Sequence, residues 1–321
     1  MPLISRKRVL AAKLETTVWA AEAIGVGDAT FQAFDAEIQA TVESIDRQSQ
    51  GSFGYLPATV GLQSGTCTFR LELIGDGLGG IPAWGSIFLP ACGWMRTTAP
   101  NQVFKPKTLV PSAPGDDLVS TISIGVYVDG TLKLLRGCMG SFVINMEAGK
   151  PASISFTFMG AYSAESPLGL TDTTLVTPTY GTAMPYRFAN TSMSVGGMSP
   201  CVQSLTIDSG NEVTLLPCQT NVDGSGYKGG FIGNRRPTIT MNPEAELVAT
   251  DTFMADLQGS TQRAFQVVLT DAAGSVTIDA PKVQPISLQH GDRDGLVTDE
   301  VTFLCGKSVP AGDDELTITF A

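Results

Sequence analysis

Histidine is almost absent from the sequence, and charged residues of either sign are scarce. His290 is the only histidine among 321 residues, and Asp, Glu, Lys and Arg together make up 16%. A histidine-based triad, a multi-histidine zinc site or a histidine proton shuttle would have to rest on that one side chain. We interpret His290 as a turn residue, because it precedes the turn-like segment GDRDG. No nucleophile, base and orienting group recur at a recognisable spacing, so we expect a protein that is not an enzyme.

The chain also has no excess of positive charge. The chain has 20 Lys and Arg residues against 31 Asp and Glu, which gives a net charge of −11 and a pI near 4.5. A protein that holds nucleic acid electrostatically needs a basic face to neutralise phosphates. The composition therefore argues against a nucleic-acid clamp.

Long apolar runs are missing as well. The basic N-terminal stretch carries only the short run from Val9 to Ala12 before Lys13 and Glu15 interrupt it. This run is too short for the hydrophobic region of a signal peptide, and no other stretch approaches the length of a membrane span. We expect the protein to be made and used in cytoplasm, without membrane insertion.

The cysteines follow no known motif. They are scattered without CxxC spacing, and several fall at strand positions that suit a small buried hydrophobe. We expect them to be reduced, and the alternative is an oxidised scaffold. The six are Cys67, Cys92, Cys138, Cys201, Cys218 and Cys305.

No complete ligand-binding motif is present. Asp292, Asp294 and Gly295 match part of a calcium loop, but the third early ligand and the Glu at loop position 12 are missing. Residues 75–80 (GDGLGG) lack both the GK[ST] ending of a phosphate loop and the GxGxxG spacing. Aromatic residues are few, and five phenylalanines sit at inward strand positions, which indicates core rather than platforms for base stacking. They are Phe142, Phe156, Phe158, Phe265 and Phe303. We expect no catalytic site, no cofactor and no metal.

What the sequence does contain is the period-two alternation of β-strands. In residues 122–128 apolar side chains recur at every second position, and Asp129-Gly130 follows as a tight hairpin signal. Alternation restarts at Phe142 and, after a turn over 147–151, again over 153–158. The pattern predicts an antiparallel meander.

A second meander follows near the C-terminus. It alternates over 265–278 and 301–305, with turns over 271–274 and 291–295. Phe158 matches Phe303 at an offset of about 145, and the surrounding residues match at nearly the same offset. The sequence is therefore interpreted as an internal duplication.

The other elements of the first half can be placed around its meander. Residues 9–19 form an amphipathic run, either a turn of helix or an arm that packs on a neighbour. Residues 34–45 are expected to be the first strand, 46–65 a long polar loop, 66–73 a strand and 82–92 a helix.

The second half repeats this order. Its first strand is expected over 202–207, its long loop over 209–236 and its second strand over 238–241. Asn242-Pro243-Glu244 is interpreted as the start of a helix.

The fold predicted from these elements is all-β with minor α. It consists of two tandem antiparallel β-sandwich or barrel domains, over 1–165 and 198–321, each with one flanking helix and a long loop. Residues 166–197, rich in Thr, Pro, Gly and Ser, are interpreted as a linker or extended arm. Two quasi-equivalent domains can alternate around a ring, so three chains would imitate a six-fold assembly. Pairing the open sheet edges of neighbouring copies would close a barrel.

The sequence also resembles a known family, the major tail tube proteins of long-tailed, siphovirus-type bacteriophages, in their two-domain form. The matching segments span almost the whole chain, and their order and number carry the resemblance because none is a catalytic signature. They are RKRVLAAKLETT (6–17), GCMGSFVINMEAGKPASISFTFMGAY (137–162), PCVQSLTIDSGNEV (200–213), GYKGGFIGNRRPTITMNPE (226–244), GDRDGLVTDEVTF (291–303) and the terminal GDDELTITF.

The resemblance implies a structural protein of the virion that is assembled in the host bacterial cytoplasm. It implies homotrimeric, pseudo-hexameric rings that stack into a hollow tube, with a sheet lining the channel and long loops reaching the next ring. It also implies partners in the tail terminator, tape measure and tail-tip proteins, and viral DNA passing through the lumen without specific binding. The acidic composition suits this role, since carboxylates repel phosphates.

The two long loops supply the candidate contact residues between subunits or rings. The cluster GYKGG with the two following arginines is cationic and could hold an acidic patch on the next ring, although a solvated loop fits equally. Deleting residues 54–61 is expected to leave a folded monomer that cannot stack. The candidates are Phe53, Tyr55, Leu56, Tyr227, Lys228, Arg235 and Arg236.

Two other functions remain open. One is a distal tail hub or tail-tip ring with the same fold. The other is a β-sandwich module that binds carbohydrate or a host surface, which would need a cluster of exposed aromatics or a complete calcium site.

Overall fold

The structure is a computed structural model. It describes residues 8–25, 28, 32–51, 53–76, 80–96, 102–107, 120–129, 131–162, 170–172, 180–181, 183–189, 191–220, 223–247, 252–271 and 274–321. These residues are mostly antiparallel β with two short helices, which confirms the predicted fold class.

Among the described residues, the first half contains nine strands and one helix. They are β1 (Arg8–Leu14), β2 (Ala33–Gln48), β3 (Tyr55–Glu72), α1 (Ala83–Ala91), β4 (Trp94–Arg96), β5 (Val103–Pro106), β6 (Ile122–Val128), β7 (Thr131–Glu147), β8 (Ser153–Ala161) and β9 (Leu170–Asp172).

The described part of the second half contains nine strands and a second helix. They are β10 (Ser192–Val195), β11 (Val202–Asp208), β12 (Asn211–Pro217), β13 (Tyr227–Arg235), β14 (Thr238–Pro243), α2 (Phe253–Gly259), β15 (Arg263–Thr270), β16 (Ser275–Arg293), β17 (Leu296–Gly306) and β18 (Thr317–Phe320).

The N-terminal run is a strand, not a turn of helix or an arm reserved for a neighbour. β1 pairs along its whole length with β6 of the same chain, from Arg8 opposite Val128 to Leu14 opposite Ile122. Val9 and Ala11 bury one face against Tyr127, while the opposite face enters the main core. Because both faces are buried, the strand lacks the alternation that would have identified it.

The prediction of two long loops was wrong, because both segments form β-hairpins. β2 and β3 pair as far as Gln48 opposite Tyr55, and β12 and β13 pair from Asn211 to Pro217. The outer part of the β2–β3 hairpin is exposed on both faces. Since neither face needs to be apolar there, the backbone ladder forms without an alternating pattern.

The predicted helix start at 242–244 was also wrong. β14 continues to Pro243, and the second helix begins only at Phe253. The Asn242 side chain does not cap a helix; its Oδ1 accepts hydrogen bonds from the amides of Gln203 (3.1 Å) and Ser204 (2.6 Å) across the ladder. The first helix lies where it was expected, directly after Pro82.

β16 runs further than the sequence pattern indicated. It passes through Pro281 and Pro285 and remains paired with β17 until Arg293 opposite Leu296. A register shift next to Pro285 accommodates the missing amide hydrogen. Only Asp294-Gly295 forms the turn, with φ of 51° and 87°, as in a two-residue hairpin.

The segment between the two meanders lies partly outside the described residues. Its described portion packs against the first meander and the core, with Tyr186 and Phe188 buried and bonded through their backbones to residues 73, 150 and 152. The domain boundaries stay a prediction.

The phenylalanines that the sequence placed inward are in the core. Phe142, Phe156, Phe158, Phe265 and Phe303 are each at most 2% exposed. Phe156 and Phe158 stack with ring centroids 5.8 Å apart, and Phe88 of α1 covers both. The helix thus closes one side of the first meander's core.

Candidate assembly surfaces

Two sets of six strands have the same pairing order. In the first unit, the order is β2-β3-β8-β7-β6-β1, and in the second unit it is β11-β14-β17-β16-β15-β10. Each strand of one unit therefore has a counterpart in the other. The structure repeats the duplication that the sequence of the meanders indicated.

The correspondence extends to individual residues. Ile38, Cys67 and Phe158 form one row across three strands, and Ile207, Ile239 and Phe303 form the matching row. Both outer strands also shift register just before this row.

The hairpin that follows each outer strand has arms of the same length. We call residues 42–63 the first hairpin and residues 211–235 the second hairpin. Val42 pairs with Gln63 at the base of the first, as Asn211 pairs with Arg235 at the base of the second. Tyr55 and Tyr227 each begin the returning arm.

The β7–β11 strand pair joins the two units edge to edge. β7 and β11 pair from Glu147 opposite Ser204 to Val143 opposite Asp208, which makes a continuous sheet. The amide of Ser209 donates to Phe142 O (3.0 Å) and that of Ala148 donates to Gln203 O (2.8 Å).

The counterparts of these two joined strands are the open edges of the sheet. In the structure as described, β2 pairs only with β3, and residues 288–293 of β16 pair only with β17. Two carbonyls on the β2 edge, of Ala36 and Ile38, accept side-chain hydrogen bonds from Arg8 (3.2 Å) and Lys133 (3.3 Å). Positive side chains beside an edge protect it from indiscriminate pairing.

The first hairpin carries a group of exposed apolar side chains. Phe53 is fully exposed and Tyr55 is 70% exposed. Single exposed apolar residues are ordinary, but several on one projection indicate an interaction surface. The group consists of Val42, Ile45, Phe53, Tyr55, Leu56 and Val60.

The second hairpin, by contrast, is docked on the first unit of its own chain. Arg136 of β7 lies beneath it, with its side chain 7% exposed, and forms an ion pair with Asp223. Arg136 also donates to the carbonyls of Tyr227 (3.0 Å) and Lys228 (3.0 Å). Burial opposes ionisation of Asp223, but the Arg136 guanidinium and hydrogen bonds from Ser225 hold the pKa of that carboxyl below its usual value.

Trp19 fastens the same hairpin from the N-terminal side. Its Nε1 donates to Gly230 O (2.8 Å), and the Lys228 ammonium lies 4.2 Å from the centre of the indole ring. A side chain on Gly229 would meet this indole, so the close approach depends on glycine.

A buried carboxylate supports this docking site. Glu15 accepts hydrogen bonds from Thr121, from Ser123 Oγ (2.8 Å) and from the amide of Gly137 (2.7 Å). Burial raises the pKa of the Glu15 carboxyl, and the hydrogen bonds and the charge of Arg136 offset only part of that rise.

The candidate residues fall on both hairpins. Phe53, Tyr55 and Leu56 share the exposed first hairpin. On the second, Arg235 is held by its own chain, pairing with Asp313 (3.2 Å) and Glu315 (3.3 Å).

Of the other candidates on the second hairpin, Tyr227 and Lys228 bond to Arg136 through their backbones, and Arg236 is exposed. Whether any of these side chains contacts another subunit stays a prediction. Trp19, Arg136, Asp223 and Glu15 were not singled out from the sequence. Of these four, only Arg136 has a signal in the sequence, as the one arginine inside the mainly apolar strand LKLLRGCMG.

The interpretation of His290 as a turn residue was wrong. It lies in β16 opposite Asp299, with Nδ1 and Oδ1 2.5 Å apart. Asp292 does serve the turn, since its Oδ1 accepts the amide of Gly295 (3.2 Å). Within the part of the chain that the structure describes, no group of three or more His, Cys, Asp or Glu could hold a metal ion. No helix in that part is long and apolar enough to cross a membrane.

Comparison with known proteins identifies the family. A search of curated proteins finds no match to this chain. The family model described as "Phage tail tube protein" matches residues 5–319, which include both units, both hairpins and the strand pair between them. The chain therefore belongs to the phage tail tube protein family.

Proposed function

We propose that three copies of the chain close into a ring with pseudo-six-fold symmetry, that rings stack into a hollow tail tube, and that viral DNA passes through it. Family membership supports the structural role in a phage tail. The ring, the stacking and the DNA conduit are the proposed parts.

The observation that carries the proposal is the β7–β11 pair. It joins the first unit to the second, while the corresponding strands β16 and β2 keep open edges. Repeating the same junction between chains pairs β16 of one copy with β2 of the next. Six equivalent junctions, three within chains and three between them, then close the ring.

The correspondence also fixes the register of the proposed junction. Ile207 faces Ile144 within the chain, and their counterparts are Ile38 and His290. Three positions further along the ladder, Ser204 faces Glu147, and the counterparts of this pair are Asp35 and Arg293. Asp35 and Arg293 carry opposite charges, so the proposed junction brings a carboxylate beside a guanidinium.

The overall charge fits a conduit. With a net charge of −11, the surface repels rather than holds a polyanion. Tail terminator, tape measure and tail-tip proteins are the proposed partners at the ends and in the lumen, and assembly in the host cytoplasm is proposed with them. A tail-tip ring remains the second candidate, and a ring that does not stack would favour it.

The open edge of β16 offers a direct test. By correspondence with Ile144, the amide of His290 points away from β17 and toward the proposed neighbour. Proline at this position removes that donor without removing a bond to β17. Native mass spectrometry should find trimers for the wild type and for the matched control His290→Ala, and folded monomers for His290→Pro. Trimers of undiminished stability in His290→Pro would overturn the proposed junction.

A further inference from the structure

We infer that the first hairpin of one copy docks on the outer face of β16 and β17 in the neighbouring copy of the same ring. This inference rests on the proposed function and adds a second contact to the strand junction. It assigns the exposed apolar group of the first hairpin one specific binding partner, a second copy of this chain.

The second hairpin shows how such docking works. It lies across the face of β7 and β8 that points away from the main core and completely buries Met139 there. A Cβ built on Gly230 would be 3.2 Å from Met139 Cβ and 2.9 Å from Met159 O. A hairpin that follows β11 thus covers the unit to which β11 is joined.

The first hairpin follows β2 in the same way. Its base contacts the second hairpin, where Gln63 N donates to Ser225 O (2.8 Å), but its outer arms are exposed on both faces.

Residues of the two units can be matched by their positions in the strand ladders. Ala58 of the first hairpin then corresponds to Gly230 of the second, and Gln284 and Leu304 correspond to Met139 and Met159. Gln284 and Leu304 belong to the second unit, whose β16 edge is the proposed partner of β2. When β16 of one copy pairs with β2 of the next, the first hairpin that follows this β2 therefore lies over Gln284 and Leu304 of the first copy.

The receiving face has apolar surface to offer. Ile286, at the register shift in β16, is 40% exposed, and Leu304 is half-buried. The first hairpin brings the larger share through Leu56, Val60 and their exposed neighbours. Burying such surface on both sides is favourable at roughly 25 cal/mol per Å².

The two docking contacts differ in one respect. Arg136 and Asp223 fix the second hairpin by an ion pair. The ladder position in β16 that corresponds to Arg136 is held by Lys282, but the tip of the first hairpin has no carboxylate to match Asp223. Asp223 lies in a tip of residues 218–226, whereas the tip of the first hairpin spans only 49–54. The contact between copies is thus mainly apolar.

This arrangement changes the expectation for the hairpin deletion. If the first hairpin reached only the next ring, deleting 54–61 would leave rings that cannot stack. Because the proposed junction lays the hairpin on the neighbour within the same ring, we expect the deletion to weaken ring closure itself.

Cysteine cross-linking distinguishes the two directions. The test pair is Ala58→Cys with Gln284→Cys, in a Cys201→Ser, Cys218→Ser background that removes the accessible native thiols. The corresponding positions within the chain are close enough for a disulfide. After oxidation of assembled protein, a covalent ladder that ends at three chains supports docking within the ring.

A ladder that extends beyond three chains would place the contact between rings and overturn the inference. So would the absence of cross-links in rings visible by electron microscopy. The matched control is Ala58→Cys with Gln289→Cys, five residues along the same strand and roughly 17 Å away, which should not cross-link. If wild-type protein forms no rings at all, the proposed function itself fails, and the inference fails with it.

A second measurement does not depend on disulfides. Val60→Glu and Leu56→Glu place a charge in the proposed contact and should weaken trimer formation by about tenfold or more. Leu247→Glu, another highly exposed apolar position, is the matched control and should assemble like the wild type. Trimer affinities equal to that of the control would also overturn the inference.

Discussion

Arg136 and Asp223 form a buried ion pair although 87 positions separate them in the chain. Arg136 belongs to the first unit and Asp223 to the tip of the second hairpin, so the pair attaches one repeat to the other. This contact explains why the second hairpin is docked while its counterpart is exposed.

Removing the carboxylate should strongly destabilise the protein. In Asp223→Asn the Arg136 charge stays buried without its counter-ion, which typically costs about 3–5 kcal/mol. Urea unfolding at pH 7 measures the loss. The control is Glu147→Gln, which breaks an ion pair with Lys150 that is more than half exposed and should cost at most about 1 kcal/mol. Equal, small losses in both variants would contradict the structural role of the pair.

Glu15 should make stability depend on pH in the opposite sense from a salt-bridged acid. Its folded pKa is raised above 4.5, so the folded state binds the proton more tightly than the unfolded chain does. The free energy of unfolding contributed by this group therefore falls as pH rises from 4.5 through the raised pKa. Glu15→Gln removes the titration, and its unfolding free energy relative to the wild type should rise across that window.

Urea titrations of both proteins between pH 4 and pH 8 provide this comparison. A difference that stays constant, or that falls with pH, would show that Glu15 is not held in a desolvating site.

The glycine beneath Trp19 should be intolerant of any side chain. In Gly229→Ala the new methyl group would clash with the indole and lie 2.9 Å from Gly137 O. We expect a destabilisation of about 1–3 kcal/mol and faster proteolysis in the second hairpin as it detaches. Gly181→Ala, with no atom within 4 Å of the new carbon, is the control and should behave like the wild type. Unchanged proteolysis in Gly229→Ala would show that the second hairpin is not held against Trp19.

Thiol reactivity should divide the cysteines into two classes. Cys67, Cys92, Cys138 and Cys305 are buried, and burial raises the pKa of each, that of Cys305 to about 12. Cys201 is exposed and Cys218 partly so.

A hydrogen bond with Thr220 lowers the pKa of Cys218, which favours its thiolate. Mass spectrometry after brief iodoacetamide treatment of the folded chain should therefore find modification at Cys201 and Cys218. Rapid labelling at Cys67 or Cys138 would show that the core opens more readily than the packing indicates.

The strands of the meanders and the first helix were predictable because apolar side chains recur along the face that packs into the core. This holds even for β6, where both faces are buried but Ser123 on the second face is polar and donates to Glu15. β1 was not, since Val9 and Leu10 bury opposite faces. The hairpins were missed for the reverse reason: the outer arms of the first hairpin are open to solvent on both sides. Local pattern identifies a strand only where its two faces have different surroundings.

The assembly surfaces divide in the same way. The exposed apolar group around Tyr55 lies in one continuous segment, so its residues could be predicted from the sequence as contact candidates. The docking site of the second hairpin could not be found, because it joins Trp19 to Gly230 across 211 positions. Even a clear duplication in sequence does not reveal that one hairpin is covered and the other exposed.

The most direct test of the ring proposal is cryo-electron microscopy of assembled wild-type protein, with averages of end-on views. We expect three-fold rings with six similar lobes, stacked into hollow tubes, and a continuous sheet in which β16 of one copy pairs with β2 of the next. Rings built from six chains, or neighbours that meet through strands other than β16 and β2, would contradict the account.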